Sequence, residues 1–343
     1  MPPVTRFKWR RSEASDEAPQ EAESSKAPAA RYKLRSAKSG KAPETCSKLH
    51  SDESGRAPTA RSKLRSAKSD KGKGNARSRL YSAKSASSWE ADDLNAYNII
   101  VQLQDTATFF GVDPLPDPSF SNEFLTTQTL DDMTGRLNRT ILFQMNRAME
   151  LQEAAVDVFA MELLKALGYN SSETTEVVSQ ERLRFTVCGE ECYAVPNVAV
   201  VNITNDVLLL IQEDKQLGGR KNPEPQLVAQ AIAVFQSHNK KRMRDRQDTI
   251  DAKVIHGITL VGTFPTFYKI KFTKELAEAV ERGEHPNTQT VIYAYRPVVP
   301  RPDLAITEGM VPLDNRALIL SCFESFKQFV VCISRLFRTL RRY

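Results

Sequence analysis

The spacing of hydrophobic and polar residues predicts helices and strands from about residue 93 onward. Apolar residues recur at helical spacing in several stretches. Helices are therefore predicted over 93–110, in two pieces over 130–170, over 223–238 and in the C-terminal stretch from Leu313. Runs of apolar and β-branched residues predict strands at 182–188, 192–201, 207–214, 257–263, 267–272 and 290–297. Short turns between the first three strands favour an antiparallel meander.

The third predicted strand, "VLLLIQED" (207–214), is apolar on both faces. Such a strand is typical of the middle of a sheet that is covered on both sides. Its period of two places Glu213 and Lys215 on one face at the end of the strand. Charges at a buried position are costly unless they coordinate an ion, pair with each other or reach solvent in a cleft.

The first ninety residues have a different character. A unit of about 15 residues, with the core [RC]-x-[KR]-L-x-S-x-x-S, begins at Arg31, Cys46, Arg61 and Arg77. Each copy has a single Leu, which is too little apolar surface to offset the entropy of ordering. The region 1–88 is therefore predicted to be a disordered basic tail. The sequence leaves open whether this tail contacts nucleic acid or is a neutral linker.

Charge is distributed unevenly along the 343 residues. Residues 1–90 hold 21 Lys/Arg and 10 Asp/Glu, a net charge of +11, whereas the remainder holds 27 and 32, a net charge of −5. A basic tail on an acidic body is expected where the tail meets a polyanion, so a nucleic acid, DNA or RNA, is the expected partner. The basic run "KKRMRDR" (240–246) is predicted to be a loop and a weak nuclear signal.

The sequence has neither an apolar run long enough for a membrane helix nor a hydrophobic N-terminal signal. An odd number of cysteines, five, favours a reducing compartment. We therefore expect a nuclear or cytoplasmic protein that is not secreted and does not contact a membrane.

The pair at the end of the third strand has a specific chemistry. The carboxylate of Glu213 is a hard ligand suited to Mg²⁺ or Mn²⁺. Lys215 could assist an attacking water or stabilise the negative charge of a transition state. In the other interpretation, Glu213 and Lys215 form a structural ion pair.

The chain order and Glu213-Asp214-Lys215 resemble the PD-(D/E)xK nuclease superfamily, which has a restriction-endonuclease-like core. On the following helix, Gln226 to Gln230 resembles the Gln-x-x-x-Tyr element of its RecB-like branch, with Gln230 in place of Tyr. Residues 95–330 also resemble a large group of uncharacterised basidiomycete fungal proteins, through stretches such as "QEDKQLGGRKNPEPQLVAQAIAVF" and "GITLVGTFPTFYKI". The resemblance implies an α/β core of helix, three-stranded antiparallel meander, helix and strand, with extra helices over 89–334 and a basic end at 335–343.

The same resemblance identifies the expected site residues. It implies metal ligands at Glu213 and Asn197, with Glu153 of the preceding helix as a third, and roles for Lys215 in catalysis and Gln226 in placing the substrate. Asn197 stands where the superfamily has a metal-binding Asp, so the site lacks one negative charge. Pro196 removes a backbone donor and predicts a bend in the second strand.

Together these observations predict a nucleic-acid-directed protein with impaired or lost metal-dependent phosphodiesterase activity. The alternative is a non-enzymatic nuclear interaction protein in which Glu213 and Lys215 form an ion pair.

Overall fold

The computed structural model describes residues 82–150, 153–213 and 222–340, without the side chains of residues 153 and 331–340. The chain divides into Met1–Asp70 and Lys71–Tyr343, and all described residues belong to the second unit. Most of the predicted repeat tail, and residues 341–343 of the predicted basic end, therefore lie outside the described residues. A short 3-10 helix at Ala86–Ser88 shows that regular structure begins slightly before the predicted boundary at residue 89.

The described residues form an α/β structure with a mixed sheet, as the apolar pattern predicts. The helices are Ala91–Ala96 (α1), Thr106–Phe110 (α2), Asn122–Thr126 (α3), Arg136–Met149 (α4), Glu153–Ala166 (α5), Glu224–Arg244 (α6), Lys274–Arg282 (α7), Ala305–Glu308 (α8) and Leu313–Leu340 (α9). The strands are Ile99–Leu103 (β1), Thr175–Ser179 (β2), Leu183–Val187 (β3), Glu190–Ala194 (β4), Val198–Asn202 (β5), Val207–Glu213 (β6), Ala252–Val261 (β7), Phe264–Thr273 (β8) and Thr290–Tyr295 (β9).

Among the described strands, seven form one sheet in the order β1-β9-β8-β7-β6-β5-β2. Strand β6 pairs antiparallel with β5 and parallel with β7, and β5 pairs antiparallel with β2. Every residue of β6 is buried, as expected for an apolar strand between two covered faces.

Both faces of the sheet are covered. On one face, Leu209 and Ile211 of β6 belong to a core with residues of α4, α5 and α9. On the other face, Leu210 packs with α6, α1, α7 and strands β3 and β4. The contact between α6 and β7 is close, since a Cβ added to Gly257 would lie 2.8 Å from Leu227 Cδ2. Helices α5 and α6 thus lie on opposite sides of β6.

The predicted second and third strands contribute β5 and β6 to an antiparallel meander, but the first strand of that meander is a different one. Residues 183–187 and 190–194 form a separate two-stranded sheet, β3-β4, that turns at Cys188-Gly189 and packs on α6. The first strand of the meander is β2, which pairs with β5 over all five of its residues and was not predicted. Its alternating pattern is short, and a more apolar segment follows directly in the sequence, which explains why the prediction chose the wrong strand.

Two other predicted elements are wrong in type. The predicted helix over 93–110 consists of α1, β1 and α2. Asn98 has a φ of 52°, which ends α1, and the β-branched run that follows it pairs with β9. The predicted basic loop at 239–246 is mostly the last part of α6, where the side chain of Asn239 exchanges two hydrogen bonds with the backbone of Ile250.

Candidate functional site

Three polar side chains meet where β6 ends. Glu213 is the last residue of β6, Asn197 directly precedes β5, and Asp157 lies in the second turn of α5. Glu213 is 2% exposed, whereas Asn197 and Asp157 are half-buried. Strand, bend and helix therefore each contribute one side chain to a partly buried cluster.

The Asn197 amide lies between the two carboxylates. Its Nδ2 atom donates to Asp157 Oδ2 at 3.2 Å and to Glu213 Oε1 at 3.2 Å. An amide has two hydrogens on this nitrogen, so it can serve both acceptors at once. The amide thus connects two acidic groups through neutral hydrogen bonds.

The predicted bend at Pro196 directs Asn197 into this cluster. The predicted strand 192–201 is interrupted at Val195–Asn197, and Asn197 lies in a bend. In the ladder, Val198 pairs with Ile211 and faces α5. Regular alternation would turn the preceding residue toward α6. The irregular backbone before β5 instead allows Asn197 to reach Glu213 and Asp157.

The predicted site residues have different outcomes. Glu213 and Asn197 are brought together, as expected from the resemblance. Lys215 lies outside the described residues, as does the side chain of Glu153 at the start of α5. Gln226 is half-buried, and its side chain makes no hydrogen bond within the part of the chain that the structure describes.

Asp157 is the acidic residue that the sequence analysis missed. It lies four residues after Glu153, so the two positions share a helix face. It also follows Val156, which is buried with Phe159 and Ala160, and this indicates that Asp157 borders the buried side of α5. Its place on the face of Glu153, beside a buried apolar residue, is the sequence feature that could have identified Asp157. Glu162, farther along α5, instead pairs with Lys165 at 3.3 Å.

Two buried amides fix the end of β6 from the α6 side. Gln230 Nε2 donates to Gln212 Oε1 at 2.5 Å and to the Val195 carbonyl at 3.4 Å. Gln212 Nε2 donates to the Glu213 carbonyl at 3.0 Å. Gln230 thus ties the bend before β5 to the strand that carries Glu213. Gln226 lies one helical turn before Gln230, nearer the segment that connects β6 to α6.

The donor set suits a hard cation only in part. Within the described residues, no group of three or more His, Cys, Asp or Glu side chains could hold a metal ion. Two carboxylates and an amide oxygen are ligands that Mg²⁺ and Mn²⁺ accept. However, Asn197 directs its nitrogen toward both acids. Its amide must rotate to offer Oδ1, and in the observed orientation Asn197 forms a neutral hydrogen-bonding bridge between the two carboxylates.

Arg316 is a second buried charge, but its surroundings indicate a structural role. It is fully buried, and its guanidinium donates to the backbone carbonyls of Phe124, Thr127, Met310 and Val311. Burial lowers the pKa of Arg316 to about 10. Its donors are used by carbonyls of neighbouring loops, so it holds α9 against the segment after α3.

Comparison with known proteins does not assign the chain to a family. No family model matches it, and no curated protein matches it. In the described part of the chain, no helix is long and apolar enough to cross a membrane. The fold and the site therefore define an α/β protein with two carboxylates and an amide at the end of a central strand.

Proposed function

We propose that this protein is a nucleic-acid-directed member of the PD-(D/E)xK nuclease-like class, with impaired or lost metal-dependent phosphodiesterase activity. The observation that carries the proposal is the position of the Asn197 amide, 3.2 Å from both Asp157 and Glu213. A phosphodiesterase site of this class needs a cation where these three side chains meet. An Asn at that point weakens the cation site without changing its shape.

The order of elements supports the class. Helix α5, strands β2, β5 and β6, helix α6 and strand β7 follow one another, with β6 antiparallel to β5 and parallel to β7. This is the order of helix, three antiparallel strands, helix and strand that the resemblance implies. The hairpin β3-β4 is an insertion between the first two strands of the meander and packs on α6.

The chain's own residues have distinct roles in this proposal. Glu213 and Asp157 would hold Mg²⁺ or Mn²⁺, with Asn197 Oδ1 as a weaker third ligand. Such a cation supplies charge stabilisation at the phosphate and a more acidic water. Lys215 would assist that water, and Gln226, at the start of α6, would orient the phosphate backbone. The buried pair Gln212 and Gln230 positions the end of β6.

A non-enzymatic binding role is the second candidate. The observation that favours it is the same bridge, because the amide hydrogens of Asn197 already serve both carboxylates. In that case the cluster is structural, and nucleic acid would bind through basic residues alone. This alternative requires no cation affinity at Glu213.

Calorimetric titration with Mn²⁺ separates the two candidates. We expect weak binding to the full-length wild-type chain, none to Glu213→Gln, and binding at least about 100-fold tighter to Asn197→Asp. At an effective dielectric of about 20, a unit charge about 4 Å from another is worth about 4 kcal/mol, and each ~1.4 kcal/mol is tenfold in affinity. Asn197→Asp is also assayed for Mn²⁺-dependent cleavage of single- and double-stranded DNA and RNA.

Asn287→Asp is the matched control, since Asn287 is exposed and distant in sequence from the cluster. It adds the same charge and should bind Mn²⁺ like the wild type. If Asn197→Asp gains neither Mn²⁺ affinity nor cleavage of any of these nucleic acids, the proposal of a weakened nuclease is wrong. The second candidate, non-enzymatic binding of nucleic acid, would then be the remaining proposal.

A further inference from the structure

A second polar cluster lies at the opposite end of β6. Asp206 immediately precedes β6 and lines a small pocket that is open to solvent. Val207 and Val234 contribute apolar surface to the pocket, and His238, Lys241 and Lys253 contribute polar groups. The seven residues of β6 separate this pocket from Glu213 by about 20 Å, at about 3.3 Å per residue.

Asp206 is held by several donors at once. Its Oδ1 lies 3.3 Å from His238 Nδ1 and 3.6 Å from Lys241 Nζ, and its Oδ2 accepts from Thr204 Oγ1 at 2.8 Å. Burial by itself raises the pKa of Asp206, but the hydrogen bonds from His238 and Thr204 and the charge of Lys241 outweigh it and hold that pKa well below its usual range. The Asp206 carboxylate is therefore ionised and contacts His238 and Lys241 of α6.

Lys253 brings a further positive charge to the same pocket. The parallel pairing of Leu209 with His256, continued three residues backward, places Lys253 level with Asp206 on the neighbouring strand β7. In the part of the chain that the structure describes, Lys253 makes no ion pair or hydrogen bond. Burial lowers the pKa of Lys253, the charge of Asp206 offsets part of that effect, and the charge of Lys241 lowers the pKa slightly further. Two lysines therefore share a pocket with one carboxylate.

This arrangement leaves positive charge without a matching anion. The ammonium groups of Lys241 and Lys253 exceed the single carboxylate of Asp206 by one charge. A half-buried ammonium gains most from an anion that enters the pocket and replaces the water it has lost. The apolar side chains of Val207 and Val234 strengthen such a contact because they lower the local dielectric constant.

We propose that this pocket is a binding site for a phosphate group, with Lys253 as its main contact and Lys241 and Ser237 as supporting contacts. Lys binds phosphate as a point charge and needs no fixed planar geometry. The proposal does not depend on the carboxylate cluster, because the pocket uses α6 and β7 whereas Glu213 faces α5.

The surroundings favour the phosphate of a nucleic-acid backbone over a free phosphate. The last turns of α6 continue from the pocket with Lys240, Arg242, Arg244 and, after the helix, Arg246. Of these, Lys240, Arg244 and Arg246 are exposed. A stripe of this kind attracts a polyanion and adds salt-dependent contacts along it. A small phosphate compound would use the pocket without the stripe.

The test compares full-length wild type, Lys253→Met and Lys271→Met. Lys271 lies on β8 opposite Val254, the neighbour of Lys253 in β7, and is exposed, so it controls for the loss of one charge. Inorganic phosphate and a single-stranded oligonucleotide are each titrated at low ionic strength, by calorimetry and by the shift in the thermal midpoint. We expect Lys253→Met to weaken binding of at least one probe about tenfold, and Lys271→Met to change it less than twofold.

The two titrations identify the ligand of the pocket or exclude the site. A Lys253-dependent effect on the oligonucleotide supports the backbone phosphate as the ligand, and an effect on inorganic phosphate alone supports a free phosphate. The basic tail adds the same background to every variant, so the difference between variants isolates the pocket. If neither probe distinguishes Lys253→Met from Lys271→Met, the proposed site does not exist, whatever the outcome of the Mn²⁺ titration.

Discussion

The two ends of β6 carry carboxylates in opposite surroundings. At the beginning of the strand, Asp206 lies 3.3 Å from the imidazole of His238 and 3.6 Å from the ammonium of Lys241. At its end, Glu213 is connected to a second carboxylate, Asp157, by the neutral amide of Asn197. One end therefore contains an ion pair between Asp206 and Lys241, and the other contains two carboxylates joined by a neutral amide. The burial of an acidic side chain does not by itself indicate a function, because the role of the acid depends on the groups that contact it.

The two clusters at the ends of β6 also differ in which parts of the chain build them. The residues around Asp206 form a tight turn in which the Asn202 side chain accepts from Thr204 and Asp206. The residues around Glu213 come from three separate elements and are held in place by the Gln212 and Gln230 amides. A local turn positions Asp206 itself, whereas tertiary packing brings in its partners from α6 and β7 and all three side chains of the Glu213 cluster.

The largest expected effect is at the Glu213 end. Asn197→Asp would place a third carboxylate between two others, so without metal it should lower the free energy of unfolding by about 2–4 kcal/mol at neutral pH. Chemical denaturation with and without Mn²⁺ measures this loss, and Mn²⁺ should restore most of it by binding only the folded state. A variant as stable as the wild type without metal would mean that the three side chains do not meet in solution.

At the other end, Asp206→Asn should cost about 1.5–3 kcal/mol at pH 7, the range for hydrogen bonds to a charged group. The folded pKa of Asp206 is lowered, so its stabilising effect is present above the unfolded pKa of about 4 and is lost as the pH falls through the folded value. The difference in the free energy of unfolding between Asp206→Asn and the wild type should therefore become smaller below pH 4. A gap that stays constant between pH 7 and pH 3 would contradict the ion-pair description.

The smallest expected effect is at Lys253, where the substitution should raise the free energy of unfolding rather than lower it. Burial lowers the pKa of Lys253, so its charged form destabilises the folded state below the folded pKa, and this penalty disappears as the pH rises toward the unfolded pKa. Without phosphate, Lys253→Met should raise the free energy of unfolding by about 0.5–1 kcal/mol at pH 7. Unfolding curves at pH 7 and pH 10 check this, since the advantage of Met should shrink at the higher pH. A loss of stability would mean that Lys253 has a partner in the folded protein.

Much of the candidate site could be predicted from local sequence. The continuous apolar run from Val207 shows that β6 is central, and its period of two places Glu213 on a defined face. Pro196 predicts the bend that interrupts the second strand, and the structure has that bend. The strand and the bend are local consequences of residue type, which is why sequence alone identifies them.

Other parts could not be predicted locally. The helical pattern of α5 does not decide which of its acids reaches the sheet, because Glu153 and Asp157 share a face; the contact between Asp157 and Asn197 depends on the packing of α5 against the strands. The choice of β2 over β3 as the first strand of the meander depends on pairing with β5, a long-range contact. The pocket at Asp206 depends on Lys253, nearly fifty residues away in the chain, through the register of β6 and β7.

The sequence by itself determined the α/β class, the buried strand β6, the charged residue at its end and the uneven distribution of charge, because each depends on residue type and short-range periodicity. Only the tertiary structure decided which side chains meet at the two ends of β6. Those meetings depend on strand pairing, on the bend before β5 and on the packing of α5 and α6, and such long-range contacts are set by burial of the whole core rather than by any one segment.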